Sequence, residues 1–169
     1  MRALFLFAAA LWCGAMGFFA AFGARLVLQT SPSRAAGGTT NRALLDALDV
    51  FSYGAVLVLF ALLVLSSRKE AWPKVRKAMA TRLLLVAAVA TFVSHVLVTP
   101  QMVELRDRMP VAIDLVPKDD PIRQSWGRLH GFSSIALLLR IVCAAGLFMT
   151  ALPKRNQDDF LKAPDGSHV

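Results

Sequence analysis

The segment from Leu129 to Leu152 constrains the fold most, because it is apolar enough to cross a membrane and yet carries Arg140 near its middle. As a helix it would be roughly 36 Å long, against about 30 Å for the hydrocarbon core of a bilayer. An arginine at that depth costs about 3 kcal/mol on insertion scales, which the surrounding Leu, Ile, Val and Phe side chains offset. The segment therefore predicts a transmembrane helix whose arginine needs a partner inside the protein.

Three more apolar blocks precede this one, and together they predict an all-α integral membrane bundle of four antiparallel transmembrane helices. The predicted spans cover about residues 3–28, 42–65, 83–99 and 129–152, with a long loop at 100–128 and a solvated tail at 153–169. The composition agrees, with 56% hydrophobic residues and a mean hydropathy of +0.55. We expect a lipid bilayer around a single domain, since 169 residues leave no room for a second one.

The basic residues predict the orientation of the helices. The connection from Ser66 to Arg82 carries six basic residues and one acid, a bias typical of cytoplasmic loops, and it places both termini in the cytoplasm. We expect the membrane to be a bacterial inner (plasma) membrane. Although the net charge is +8, the basic residues flank apolar blocks without a groove-reading fold, so no nucleic acid is expected as a partner.

Local signals predict where the helices begin and end. The first apolar run is longer than the core of a signal peptide, so we expect a retained first helix. Thr40 or Asn41 is the expected N-cap of the second helix, after a polar connection with glycines and a proline. Pro100 either ends the third helix or kinks it. Asp120 followed by Pro121 predicts the N-terminus of the fourth.

Polar residues inside the spans predict a polar interior near the end of the bundle that the topology places outside. Arg42, Asp46, Asp49 and Tyr53 share one stripe of the second helix. Asp46 is expected at the interface, and Asp49, about two turns deeper, is the candidate partner of Arg140. The complete predicted cluster is Asp49, Tyr53, Ser94, His95, His130, Ser133 and Arg140.

Three interpretations of this cluster remain open from the sequence. In the first, Arg140 and Asp49 form an ion pair and the histidines bond to Ser94, Ser133 or backbone carbonyls. In the second, His95 and His130 are ligands of haem or a transition metal, since neutral imidazole binds both. In the third, the cluster lines the path of a small solute or a proton, as intramembrane ionisable residues often do.

The remaining candidates carry less chemistry. Cys13 and Cys143, with Met16 or Met149 nearby, would suit reduced copper, but buried cysteine is more often an apolar filler. A face of small residues on the first span could bring two copies together; it consists of Ala10, Cys13, Gly14, Gly17 and Ala21. No phosphate loop, HExxH sequence or nucleophile elbow is present, so no catalytic residue is predicted and an enzyme is not expected.

Three local patterns carry a resemblance to a known family. They are LWCGAMGFFAAFGA, VTPQMVELRDRM and RLHGFSSIALLLRI. In this order they resemble the small four-helix membrane family of unknown function related to transmembrane protein 205. The likeness rests on Trp12, Gly14, Phe19, Pro100, Met102, Arg106, Leu129, His130, Gly131 and Ser133.

The resemblance implies four membrane helices and no assigned activity. The family often has an asparagine where this chain has Ala136 or Leu137, and Arg140 is an addition to the family pattern. More distantly, the family is similar to copper-resistance membrane proteins and to a haem-dependent protoporphyrinogen oxidase. This wider likeness extends to the fold, and a fold does not confer a reaction.

Overall fold

A computed structural model describes residues 1–69, 73–109, 111 and 113–152 of the chain. Four long helices account for most of them: α1 (Arg2–Thr30), α2 (Arg34–Lys69), α3 (Lys74–Asp107) and α4 (Pro121–Ala151). A short 3-10 turn, Ile113–Leu115, lies between α3 and α4. The structure is 90% helical, and no strand occurs among the described residues. Each helix is long and apolar enough to cross a membrane, which confirms the predicted all-α bundle.

The helices pack around a narrow apolar core. Phe5, Trp12 and Met16 of α1 are fully buried, together with Leu59 of α2 and Leu147 of α4. The Trp12 ring nitrogen donates to the Ser52 hydroxyl over 3.0 Å, so α1 and α2 share a buried hydrogen bond. Most other large apolar side chains point outward, as expected for helices whose outer faces meet lipid and not water.

Helix α2 begins earlier than the sequence suggested. It starts at Arg34, so most of the polar connection at 30–41 is helical, and the N-cap prediction of Thr40 or Asn41 is wrong. The Ser33 hydroxyl instead accepts the Ala36 N–H over 3.1 Å. Gly37 is buried and approaches the Leu28 side chain and backbone, so the glycine permits a close turn between α1 and α2.

Helix α3 continues through Pro100 to Asp107. The proline ring cannot donate to the carbonyl four residues earlier, and the helix widens into a π turn over Val93–Val98 just before it. The Thr99 hydroxyl donates to the Ser94 carbonyl over 2.9 Å, which satisfies a carbonyl within the widened turn. A second π turn, Phe19–Gly23, occurs in α1.

Helix α4 begins where the sequence placed it. The Asp120 carboxylate accepts the Ile122 N–H over 2.7 Å and the Arg123 N–H over 3.1 Å, and Pro121 occupies the first turn. At its other end Arg2 donates to the carbonyls of Ala151 and Leu152, and Arg76 also reaches the Leu152 carbonyl. We refer to the two ends of the bundle as the Pro121 end and the Ala151 end.

The small-residue face of α1 lies mainly on the outside of the bundle. Ala10, Gly14 and Ala21 are exposed, and a Cβ added at Gly14 would meet nothing within 4 Å. Cys143 is buried in the core. Cys13 packs against this core, and the Cys13 thiol lies 3.9 Å from the Ile141 carbonyl oxygen. Met16 is buried and Met149 is exposed.

Candidate functional site

A buried ion pair joins α2 to α4. Arg140 is 1% exposed and Asp49 is 3% exposed, and Arg140 Nη1 donates to Asp49 Oδ1. Two opposite charges removed from water must be paired, because an uncompensated charge in a low-dielectric interior is far more costly than the pair. The partner that the sequence suggested for Arg140 is therefore its contact in the structure.

His95 lies on the other side of the same carboxylate. The π turn of α3 places its Nδ1 3.4 Å from Asp49 Oδ2, although the two atoms lack the geometry of a hydrogen bond. The Tyr53 ring meets the imidazole edge-on, with centroids 5.9 Å apart and planes at 81°. Asp49 thus lies between an arginine and a histidine, and the structure brings together four of the predicted residues.

The other three predicted residues lie around this group but make different contacts. Ser94 is buried, Ser133 is half-buried, and His130 is exposed and stacked on Trp126, with centroids 5.1 Å apart and planes at 9°. Neither histidine is hydrogen-bonded to Ser94 or Ser133 within the described part of the chain. Along α4, His130 is ten residues, or about 15 Å, nearer the Pro121 end than Arg140.

A large cavity extends from this group toward the Pro121 end. Its volume is about 1340 Å³, and residues of all four helices line it. Asp49, Ser94, His130, Ser133 and Arg140 are among the lining residues, whereas His95 and Tyr53 are not. The buried ion pair forms the inner limit of the cavity.

Arginines dominate the charge of the cavity wall. Among the described residues that line it, six arginines face three aspartates, an excess of three positive charges. Arg25, Arg34 and Arg42 are exposed, Arg106 and Arg123 are half-buried, and Arg140 is buried. The arginines therefore lie at the surface as well as at the floor of the cavity, and the excess of positive charge along its wall attracts anions and raises their local concentration.

These cationic side chains differ in the partners that hold them. Arg42 lies 3.9 Å from Asp46, and Arg106 donates to the Val111 carbonyl over 3.1 Å. Arg123 donates to the Val116 carbonyl. Arg25 has no hydrogen bond or ion pair to any residue that the structure describes. Carbonyl partners leave the guanidinium charge uncompensated, so the charges of Arg25, Arg106 and Arg123 remain available to a ligand.

Matching the chain against known families gives one result. A domain of unknown function, DUF4149, matches residues 7–110. The chain belongs to the DUF4149 family. No curated protein and no solved structure matches it.

The DUF4149 segment includes most of α1 and all of α2 and α3, and it ends before α4 begins. Asp49 and His95 fall inside the matched segment, whereas Arg140, His130 and Ser133 fall outside it. The two sides of the buried ion pair thus come from different parts of the chain: the acid from the DUF4149 match, and the arginine from the helix that follows.

Two buried polar atoms on the cavity wall lack a partner. Arg140 Nε and Asn41 Oδ1 have no hydrogen bond within the described part of the chain, although both are inaccessible to solvent. Asn41 uses its amide nitrogen to donate to the Ala24 carbonyl over 3.0 Å, so its oxygen remains free to accept. Unsatisfied buried polar groups are rare in folded proteins and often mark a place where another molecule binds.

Sequence patterns do not predict the arginine-lined cavity. Arginines near helix ends indicate topology, because each one flanks an apolar block. The available signal was that Arg25, Arg34, Arg106 and Arg123 all fall near the same end of the predicted bundle. Potential metal ligands do not come together in this way. Among the described residues, no three His, Cys, Asp or Glu side chains are close enough to hold a metal ion.

Proposed function

We propose that this protein is a multi-pass membrane protein that binds a small anionic solute in the arginine-lined cavity. The observation that carries the proposal is that six arginines line one cavity, from exposed Arg25 to buried Arg140. A guanidinium presents several donors in a fixed plane and pairs well with carboxylate and phosphate oxygens. Binding at this end is the step that solute uptake or sensing would require.

A purely structural role for the polar cluster accounts for part of these observations. It explains why Arg140 and Asp49 pair, since a charge in the membrane interior needs a partner. It does not explain why six arginines line one cavity, or why Arg140 Nε lacks a hydrogen bond within the described part of the chain. Binding of an anion would place negative charge beside these arginines.

Calorimetric titration of the full chain in phosphatidylcholine nanodiscs tests the proposal, with inorganic phosphate and acetate as probes. Arg25→Gln removes an exposed arginine of the cavity wall, and we expect the Kd of the anion to rise about three- to tenfold. Arg82→Gln is the matched control, because Arg82 is also exposed but does not line the cavity. The proposal would be contradicted if neither phosphate nor acetate bound, or if Arg25→Gln and Arg82→Gln raised the Kd equally.

A haem or metal site at His95 is a second candidate. Its support is the 3.4 Å approach of His95 Nδ1 to Asp49 Oδ2, since metal-bound histidines commonly orient one nitrogen toward a carboxylate. Purified protein with a Soret band, or with stoichiometric metal, that is lost in His95→Ala would support it. Colourless protein without metal would contradict it.

We also propose an orientation for the bundle, the membrane that holds it and its relatives. The basic connection between α2 and α3 supports cytoplasmic termini, so the cavity would open outward from a bacterial inner membrane. The exposed small residues of α1 support contact between two copies. The membership in DUF4149 and the four helices support kinship with the family related to transmembrane protein 205.

A further inference from the structure

We infer that the ligand of the cavity is an organic monoanion with an apolar body, whose anionic group binds beside the Arg140 guanidinium. This inference rests on the proposed function and specifies its ligand class. It combines three features of the site: the unpaired donor at the floor, the charge of the floor, and the apolar walls above it.

The floor offers one strong donor. Arg140 is almost completely buried, its Nη1 is engaged by Asp49, and its Nε has no hydrogen-bond partner among the described residues. Arg140 also lines the cavity, so an anionic group on the cavity floor would lie beside its guanidinium. A hydrogen bond between a charged donor and an anionic acceptor is among the stronger kinds in proteins.

The charge of the floor limits the ligand to a single negative charge. Asp49 also lines the cavity and already neutralises Arg140 within the buried group. A second anion therefore approaches a guanidinium with a carboxylate beside it. A dianion would lose more hydration there than a monoanion, because the desolvation cost rises with the square of the charge while the attraction of Arg140 only doubles. Arg106 and Arg123 lie nearer the Pro121 end and add attraction farther out.

The size and walls of the cavity indicate an apolar body. At about 1340 Å³ it is larger than typical pockets for drug-sized ligands, and an inorganic ion would leave most of it filled with water. Apolar side chains from all four helices, or from the segments between them, also line the cavity: Leu28, Leu45, Met102, Val103, Ile113 and Trp126. Burying an apolar body against them adds affinity roughly in proportion to the area removed from water.

Three probes separate these features when titrated calorimetrically into the full chain in phosphatidylcholine nanodiscs, with empty nanodiscs as the blank. Benzoate has one charge and an apolar ring, acetate has one charge without the ring, and phthalate has two charges on the same ring. We expect benzoate to bind about tenfold or more tightly than acetate, and also more tightly than phthalate. Equal affinity for acetate and benzoate, or tighter binding of phthalate, would overturn the inference.

Variants of the floor and the wall locate the probe. The double variant Asp49→Ala/Arg140→Leu removes both charges together, and we expect it to lose benzoate affinity at least about tenfold. Val103→Thr keeps the shape of a wall residue but adds a hydroxyl, and should weaken benzoate about threefold while leaving acetate unchanged. Benzoate binding that is unaffected by the double variant would overturn the placement at Arg140.

The anionic group could belong to a free organic acid or to a membrane lipid, because the cavity opens at one end of the bundle. Nanodiscs of phosphatidylglycerol distinguish these sources. A benzoate affinity that falls more than about tenfold there supports a lipid monoanion as the occupant, and an unchanged affinity supports a free acid. If phosphate and acetate bind but benzoate shows no advantage, anion binding stands and the inferred ligand class falls. If none of the anions binds, both fall.

Discussion

At the scale of single residues, Asp49 has the most demanding position in the chain. It lies in a membrane-spanning helix, it is almost fully buried, and one of its oxygens faces Arg140 while the other faces His95. A carboxylate there is stable only because a fixed positive charge compensates it. The stability of the bundle and the chemistry of the cavity floor therefore depend on the same side chain.

We predict that Asp49→Ala or Arg140→Leu alone will each destabilise the protein by about 3–5 kcal/mol, because the remaining charge stays buried without its partner. The double variant should be less destabilised than either single variant, so the coupling energy in a thermal-unfolding cycle in detergent should be about 3 kcal/mol or more, at the upper end of the range for contacting residues. Additive effects of the two substitutions would show that the residues do not act as a pair.

The matched control for this cycle is the pair of Arg42 and Asp46 on α2. These side chains lie 3.9 Å apart but are 51% and 42% exposed. Solvent screens exposed pairs, so the same cycle on Arg42→Ala and Asp46→Ala should give a coupling of about 0.5 kcal/mol or less. A large coupling there would mean that detergent, and not burial, controls both results.

The sequence predicted the partner of Arg140 because the cost of an unpaired charge in the membrane leaves few possible partners. Arg140 needed an acid, and Asp49 was the acid that the sequence placed deepest in a span. The contacts of His95 and the unpaired Arg140 Nε depend on rotamers and on the π turn of α3, which hydrophobic periodicity does not specify. Both were therefore absent from the sequence analysis.

At the scale of elements, the turn between α1 and α2 shows how tertiary contact overrides local signals. Two adjacent glycines suggested a break in the helix, but both are helical. A Cβ at Gly37 would lie 3.0 Å from the Leu28 side chain and 3.3 Å from the Leu28 backbone, whereas a Cβ at Gly38 would meet nothing within 4 Å. Proximity to α1 explains the first glycine, and no contact explains the second.

This difference gives a prediction for two neighbouring alanine substitutions. Gly38→Ala should stabilise the protein by up to about 1 kcal/mol, because alanine favours helix and no atom obstructs it. Gly37→Ala should lack this gain or destabilise, because the Leu28 backbone cannot move aside as a side chain can. Thermal unfolding in detergent measures both, and equal increases in Tm would argue against the close packing of α1 and α2.

Helix boundaries were predictable where one residue determines them. Asp120 and Pro121 define the start of α4 through a cap and a fixed φ angle, and the structure confirms that start. The start of α2 was not predictable, because Ser33 competes with Thr40 and Asn41 as a cap. That choice depends on contacts with α1.

At the scale of the whole molecule, the number of helices followed from length and hydropathy, whereas the cavity did not. Its walls come from residues as far apart in the sequence as Arg25 and Arg140. Only the packing of the four helix ends at the Pro121 end brings them together. A charge pattern that follows from assembly has no local signature in the sequence.

The orientation of the molecule leads to a prediction about cysteine labelling. In a Cys13→Ala/Cys143→Ala background, we expect an impermeant maleimide added to intact cells to react with Lys118→Cys and not with Lys74→Cys. Both positions are exposed and lie at opposite ends of the bundle. Permeabilised cells provide the control, since both should then react. The reverse pattern in intact cells would invert the topology and turn the cavity toward the cytoplasm.

The ion pair of Asp49 and Arg140 also bears on how the protein is made. The two residues are 91 positions apart, so a ribosome delivers α2 to the membrane well before it has synthesised the middle of α4. During that interval Asp49 lacks its partner Arg140, and α2 is less stable in the bilayer. The contacts of Arg2 with Ala151 and Leu152 form even later, after the end of α4 has been synthesised. Biogenesis therefore includes a stage in which three inserted helices await the fourth, and that stage is when membrane insertases and proteases would meet this chain.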